Sequence, residues 1–196
     1  MPDDPTPPRP SYESLWDGYA SNWNKIDKPG EPRHLGDEWG AAREWNWLFH
    51  EFLQPWLAPD KRVLEIGPGG GKYTVMAGPL VRELVAIDVS EKMVALTTQR
   101  VAEAGLRNVR VLKGNGLDLS AVENESIDVV FSFDVFVHLA PVDTYAYLRE
   151  MQRVLKRGGI GSLTLANILS NGGFQKFVSE VERHRGGRRG AEQGGY

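Results

Sequence analysis

The stretch VLEIGPGGGKYT, residues 63–74, decides how the rest of the chain is read. A near-continuous apolar run carrying one acid, Glu65, meets four glycines around Pro68, and residues that suit a helix follow. Glycine turns between a strand and a helix let a ligand touch the main chain, because nothing projects from the backbone there. Three patterns compete for this one. A phosphate cradle of the form G-x-x-x-x-G-K-[ST], with Gly71 and Lys72 as its G-K pair, would put its first glycine on Ile66 and its hydroxyl on Tyr73. A dinucleotide turn G-x-G-x-x-G starting at Gly67 is satisfied by Gly69 but places Lys72 where its last glycine belongs. The pattern that fits is acid-x-Gly-x-Gly-x-Gly: Glu65, Gly67, Gly69 and Gly71.

Working outward, strand-like runs lie at 62–67, 83–88, 109–114, 127–133 and 160–167, each β-branched and nearly all apolar, as in a parallel sheet covered on both faces. Helices are expected at 72–81, at 90–105 with Ser90 as N-cap and Gly105 as stop, and at 141–158 with Pro141 in the first turn and Gly158 as C-cap. The link 115–126 is too short for a full helix. Five βα repeats predict an α/β, doubly wound, mostly parallel sheet whose ligand sits beyond the carboxyl ends of the strands.

Ahead of the sheet, Tyr12, Leu15, Tyr19, Trp23 and Ile26 recur at helical spacing, and Trp39, Trp45, Leu48, Phe49 and Phe52 mark a second helix ending near Pro55. These define an N-terminal helical cap over 11–58, preceded by a Pro-rich disordered tail, 1–10, and followed by the ligand-binding domain, 59–184. A flexible Gly/Arg tail closes the chain at 185–196. The length of 196 residues suits one domain with appendages, and the net charge of −3 gives no basic field for nucleic acid. No apolar run approaches the ~18 residues that cross a bilayer, so a soluble, cytoplasmic protein is expected. Cysteine is absent, which excludes disulfides, thiolate nucleophiles and Cys-ligated zinc.

Taken in order, four features resemble the class I S-adenosylmethionine-dependent methyltransferases with their Rossmann-like sheet: the acid-glycine loop, Asp88 ending the second strand, KGNGLDL after the third, and IDVVFSFDVFVHL as the fourth strand and its turn. The helix YLREMQRVLKRGG completes the likeness, which covers residues 11–167. The resemblance implies S-adenosyl-L-methionine as cofactor. It puts Gly67, Gly69 and Gly71 against the amino-acid tail, Glu65 at its cationic end and Asp88 on the ribose hydroxyls. In the family an aspartate after the third strand usually takes the adenine amine; here Asn115 holds that position, with Asp118 as the alternative.

The same resemblance implies methyl transfer to a small-molecule oxygen or nitrogen, with sugars and lipids among the acceptors. A base is needed only where the acceptor must lose a proton, and Asp134 and His138 are the candidates, Asp134 also as a cofactor contact. The magnesium site of catechol-type relatives is not expected, because Ala166 stands where its third carboxylate would be. The Asn/Asp-Pro-Pro-aromatic turn, the nucleophilic cysteine and the paired-glutamate loop of nucleic-acid and protein methyltransferases are missing too. After Asn167 neither strand of the family's terminal hairpin is found, which leaves a fragment, an exposed fifth strand, or pairing of that strand with another chain as in a homodimer. A non-catalytic S-adenosylmethionine-binding module and an NAD-dependent oxidoreductase are the competing readings.

Overall fold

The structure, a computed structural model, describes residues 11–23, 34–38, 42–167, 169–175 and 178. Five strands, β1 (Arg62–Ile66), β2 (Glu83–Asp88), β3 (Val109–Lys113), β4 (Ile127–Ser132) and β5 (Leu155–Leu163), form one sheet. All neighbours pair parallel, in the order β3-β2-β1-β4-β5. Helices α1 (Tyr12–Asn22), α2 (Ala42–Leu48), α3 (Lys72–Ala77), α4 (Glu91–Glu103) and α5 (Pro141–Val154) precede or connect the strands. This is the Rossmann-like architecture expected from the alternating pattern.

Successive strand residues point to opposite faces, and both faces are covered. On one side Leu64, Ile66, Val85, Ile87 and Val130 meet Tyr147, Met151 and Val154 of α5. On the other, Val63, Leu84, Ala86, Val129 and Phe131 meet Tyr73 and Ala77 of α3 together with Phe49 and Leu53. Ser90 caps α4 as expected, its hydroxyl accepting from the Met93 N–H at 3.1 Å. Gly105, just past the helix end, takes φ +68.

The junction of α5 and β5 departs from the expectation. The helix stops at Val154 rather than Gly158, and the strand starts at Leu155 rather than at residue 160. Leu155 pairs with Ile127 while the next pair is Ile160 with Val129, so β5 bulges between them. Both glycines serve that bulge: Gly158 has φ +80, and a Cβ on Gly159 would lie 2.9 Å from Leu155 Cδ2 and 3.1 Å from the Asp128 carbonyl. Among the described residues β5 is an edge of the sheet.

In the N-terminal part, α2 runs on through a wider turn at Phe49–Leu53 and a tight one at Gln54–Trp56. Phe49 is buried there, but Phe52, expected on the apolar face, is 46% exposed, and Leu15 of α1 is 50% exposed. Ile26, Trp39 and the two terminal tails lie outside the described residues. The chain divides into two compact units, one running to Thr164 and the other containing the described residues from Leu165 onward. In the latter, the Ser170 N–H donates to the Asn167 carbonyl at 3.1 Å, and residues 171–175 are helical. No helix among the described residues is long and apolar enough to cross a membrane.

Candidate functional site

The strand order reverses between β1 and β4, and open α/β sheets take their ligands outside the carboxyl ends of the strands at such a reversal. Register makes those ends level, Ile66 beside Ile87 and Glu65 beside Phe131. A cavity opens there, walled by the glycine loop, Asp88, Asp134 and the aromatic side chains of α1.

Within the loop the glycines are of two kinds. Gly67 takes φ +71, and a Cβ on it would sit 2.5 Å from Val135 Cγ2. On Gly70 it would sit 1.7 Å from the Leu35 carbonyl oxygen, and on Gly71, at φ +78, 3.1 Å from Thr97 Cγ2. Those three are demanded by protein packing. Gly69 also has a left-handed backbone, φ +56, yet no protein atom lies within 4 Å of where its Cβ would be. Its own N–H donates to Asp88 Oδ2 at 3.1 Å, and its carbonyl accepts from the Thr97 hydroxyl at 2.6 Å. Gly69 therefore presents bare backbone to open space in the cavity wall.

Both sequence-predicted acids end strands and are buried, Glu65 at 3% and Asp88 at 6% exposure. Asp88 accepts from the Ser90 N–H at 2.9 Å as well as from Gly69. Burial pushes its carboxyl up to about 6 against those backbone bonds, which favour the anion. Glu65 is pushed up to about 8 by burial, while the Thr74 hydroxyl, donating at 2.5 Å, pulls the other way. The sign of the pH dependence follows. The unfolded chain releases these protons near 3.8 and 4.5, the folded chain holds them to about 6 and 8, so the folded state binds more protons in between and stability falls as pH rises. Thermal melts at pH 5 and pH 8 are expected to show the ligand-free protein less stable at pH 8, and Glu65→Gln is expected to flatten that slope above pH 6. An unchanged slope in the variant would contradict the assignment of the raised carboxyl to Glu65.

Two N-terminal pieces flank the loop. Residues 34–38 lie across it: Asp37 forms a two-pronged ion pair with Arg100 at 2.8 and 3.2 Å, and Arg100 also donates to the Gly70 carbonyl at 3.2 Å. The Gly36 carbonyl accepts from Lys72 Nζ at 3.1 Å. Helix α1 is anchored at its first residue and again at its middle. Tyr12 Oη donates to Asp143 at 2.7 Å and accepts from the Ala140 N–H at 2.9 Å. Asp17 accepts from the Ser90 hydroxyl and from the Lys92 N–H. Tyr12, Trp16 and Tyr19 of this helix line the cavity.

Of the sequence-predicted site residues, the structure brings Glu65, Gly67, Gly69, Asp88, Asp134 and His138 into one cavity wall. Gly71 stands behind it. Asn115 and Asp118 line a neighbouring hollow instead, where Asn115 Oδ1 accepts from the N–H groups of Leu117 and Asp118 at 2.8 and 3.0 Å. Asp134 is exposed with φ +60, a left-handed conformation that aspartate tolerates better than most residues, and its N–H donates to the Thr164 hydroxyl at 2.7 Å. The His138 ring meets Trp16 edge-on with centroids 5.0 Å apart. Sequence reasoning missed Tyr147, buried in the same wall. It also treated Lys72 only as a mismatch to the dinucleotide pattern.

The geometry can be set beside known proteins. Residues 63–159 match the family model described as a methyltransferase domain. The chain is 31% identical over 126 residues to the uncharacterized methyltransferase YcgJ of Bacillus subtilis, covering 64% of this chain and 49% of that protein. It is 30% identical over 109 residues to a ubiquinone biosynthesis O-methyltransferase of Parvibaculum lavamentivorans, covering 55% of this chain and 41% of that one. The crystal structure of YcgJ superposes with a TM-score of 0.55 at 28% identity, over 61% of this chain and 50% of that one. Residues 63–159 thus form a methyltransferase domain of the class I, Rossmann-like, S-adenosylmethionine-dependent kind. It spans about half the length of the curated relatives it matches, 49% of YcgJ for example. The residues present fit that family's cofactor: a bare stretch of backbone at Gly69, a buried carboxylate at Asp88 level with it, and no phosphate cradle.

Proposed function

We propose that the chain transfers a methyl group from S-adenosylmethionine to an oxygen or nitrogen of a small-molecule acceptor. One observation carries the reading: Asp88, fixed by two backbone N–H groups, shares a cavity wall with the open face of Gly69 and with the aromatic rings of Tyr12, Trp16, Tyr19 and Tyr73. Such a wall accepts ribose hydroxyls at one end and an apolar or aromatic body at the other. When bound, S-adenosylmethionine supplies a methyl group already activated by its sulfonium, so positioning does much of the work.

The chain's own residues then divide the tasks. Asp88 orients the ribose, and Gly114 and Gly116 let the turn after β3, shaped by Asn115, pack close on Ile87 and Val89 in the wall where the adenine ring would lie. Helix α1, pinned across the cavity by Tyr12 and Asp17, serves as a lid that excludes water. His138, held edge-on by Trp16, and Asp134 stand where an acceptor proton could be taken up when the acceptor is a hydroxyl or a protonated amine.

The test is transfer of label from methyl-labelled S-adenosylmethionine to a panel of phenols, alcohols and amines. Label is expected on a hydroxyl or amine acceptor, and His138→Gln is expected to slow hydroxyl methylation without weakening S-adenosylhomocysteine binding. A chain that binds the cofactor but labels nothing would favour a binding module.

A further inference from the structure

Lys72 is 7% exposed, an unusual degree of burial for an ammonium. It follows the last loop glycine directly and lines the same cavity as Gly67, Gly69 and Asp134. Its Nζ donates to the Gly36 carbonyl, 3.1 Å away, and lies 4.7 Å from the centroid of the Trp45 ring and 5.3 Å from that of Tyr73. Burial lowers its affinity for the proton, while Asp37, Asp134 and Glu38 favour the charged form and Arg100 opposes it. The π faces of two rings and a carbonyl dipole stabilise a cation at this point of the wall. Asp134 is the exposed carboxylate of the same wall. Glu65 is deeper, with its carboxyl already engaged by Thr74.

We propose that Lys72 reads the carboxylate of the ligand's amino-acid tail and, with Asp134 opposite in charge in the same wall, makes the site selective for a zwitterionic tail. The proposal rests on the S-adenosylmethionine reading above. It assigns the cationic end of the tail to Asp134 as well as Glu65, and the anionic end to the residue that mismatches the dinucleotide pattern. A lysine here thus does what a third glycine cannot: it places a point charge beside the backbone along which the tail runs.

The test is calorimetric titration with two ligands that differ only in that carboxylate, S-adenosylhomocysteine and its decarboxylated analogue, on the wild type, Lys72→Gln and Lys72→Arg. Because both ligands meet the same variant, the ratio of their dissociation constants is insensitive to a general loosening of the fold. The wild type is expected to prefer the carboxylate by about tenfold or more, as one charge-assisted hydrogen bond supplies. Lys72→Gln is expected to bring the ratio close to one, and Lys72→Arg to restore part of it. An equal ratio in wild type and Lys72→Gln would overturn the proposal while leaving the cofactor reading intact. Failure of the wild type to bind either ligand would overturn both.

Discussion

Asp88→Ala is expected to weaken S-adenosylhomocysteine binding at least about tenfold, equivalent to about 1.4 kcal/mol. Two hydrogen bonds from ribose hydroxyls to a carboxylate would each contribute about 1.5–3 kcal/mol, so tenfold is a floor. The side chain also accepts from the Gly69 and Ser90 N–H groups at 3.1 and 2.9 Å. Alanine therefore leaves the buried Ser90 N–H and the half-buried Gly69 N–H unmatched and loosens the loop as well as removing the ribose partner. Asp88→Asn removes the charge in nearly the same shape but keeps one acceptor of two, because its NH2 group then faces either the Gly69 or the Ser90 N–H, so stability should fall less than in Asp88→Ala while binding still falls. The same carboxyl, raised to about 6 by burial, gains a proton as pH drops below that value. Affinity for the ribose is then expected to decline in acid, and titrations at pH 5.5 and 7.5 check it. Unchanged affinity in Asp88→Ala would remove the ribose assignment.

Gly69→Ala is the second large effect, and its comparison with Gly70→Ala makes it informative. At Gly69 the added methyl meets no protein atom within 4 Å. The cost to folding is then the left-handed backbone alone, about 1–2 kcal/mol for an L-residue. The methyl would nevertheless occupy the face on which the proposed cofactor would lie, and forcing one methyl into a filled contact costs about 1–3 kcal/mol. A loss of about ten- to a hundredfold in affinity, with a cooperative melt preserved, is the expected result. At Gly70 the methyl lies 1.7 Å from the Leu35 carbonyl oxygen, which cannot be relieved by a side-chain rotation. Residues 34–38 must lift off the loop, taking with them the Asp37–Arg100 pair. That variant should lose stability first and affinity only as a consequence. If both glycines behaved alike, Gly69 would be a packing residue and not a ligand contact.

The difference between those two glycines marks how far the sequence could be read. Strand and helix identities were legible because burial on both faces leaves nearly continuous apolar runs, and because Ser90 and Gly105 cap α4 through local chemistry. The acid-glycine spacing was legible for the same reason: its logic is confined to seven residues, from Glu65 to Gly71. The start of β5 was not. Leu155, Lys156 and Arg157 continue a helix by propensity, and only their alignment against β4, a tertiary contact, turns them into strand with a bulge at Gly158 and Gly159. Long-range partners hid the rest of the site. Lys72 meets the Gly36 carbonyl across 36 positions, and Tyr12 reaches Asp143 across 131. Asn115 was read from its place after β3, whereas its side-chain oxygen is engaged two and three residues further on, in its own turn. Local pattern named the loop; only the fold shows which faces of it are open.

The measurement that tests the central claim most directly is a calorimetric titration of the wild-type chain with S-adenosylhomocysteine and, in a parallel run, with NADH. One-to-one binding of S-adenosylhomocysteine that is weakened in both Asp88→Ala and Gly69→Ala, with no heat from NADH, is the result the account predicts. Binding of NADH in its place, or S-adenosylhomocysteine binding indifferent to both substitutions, would contradict it.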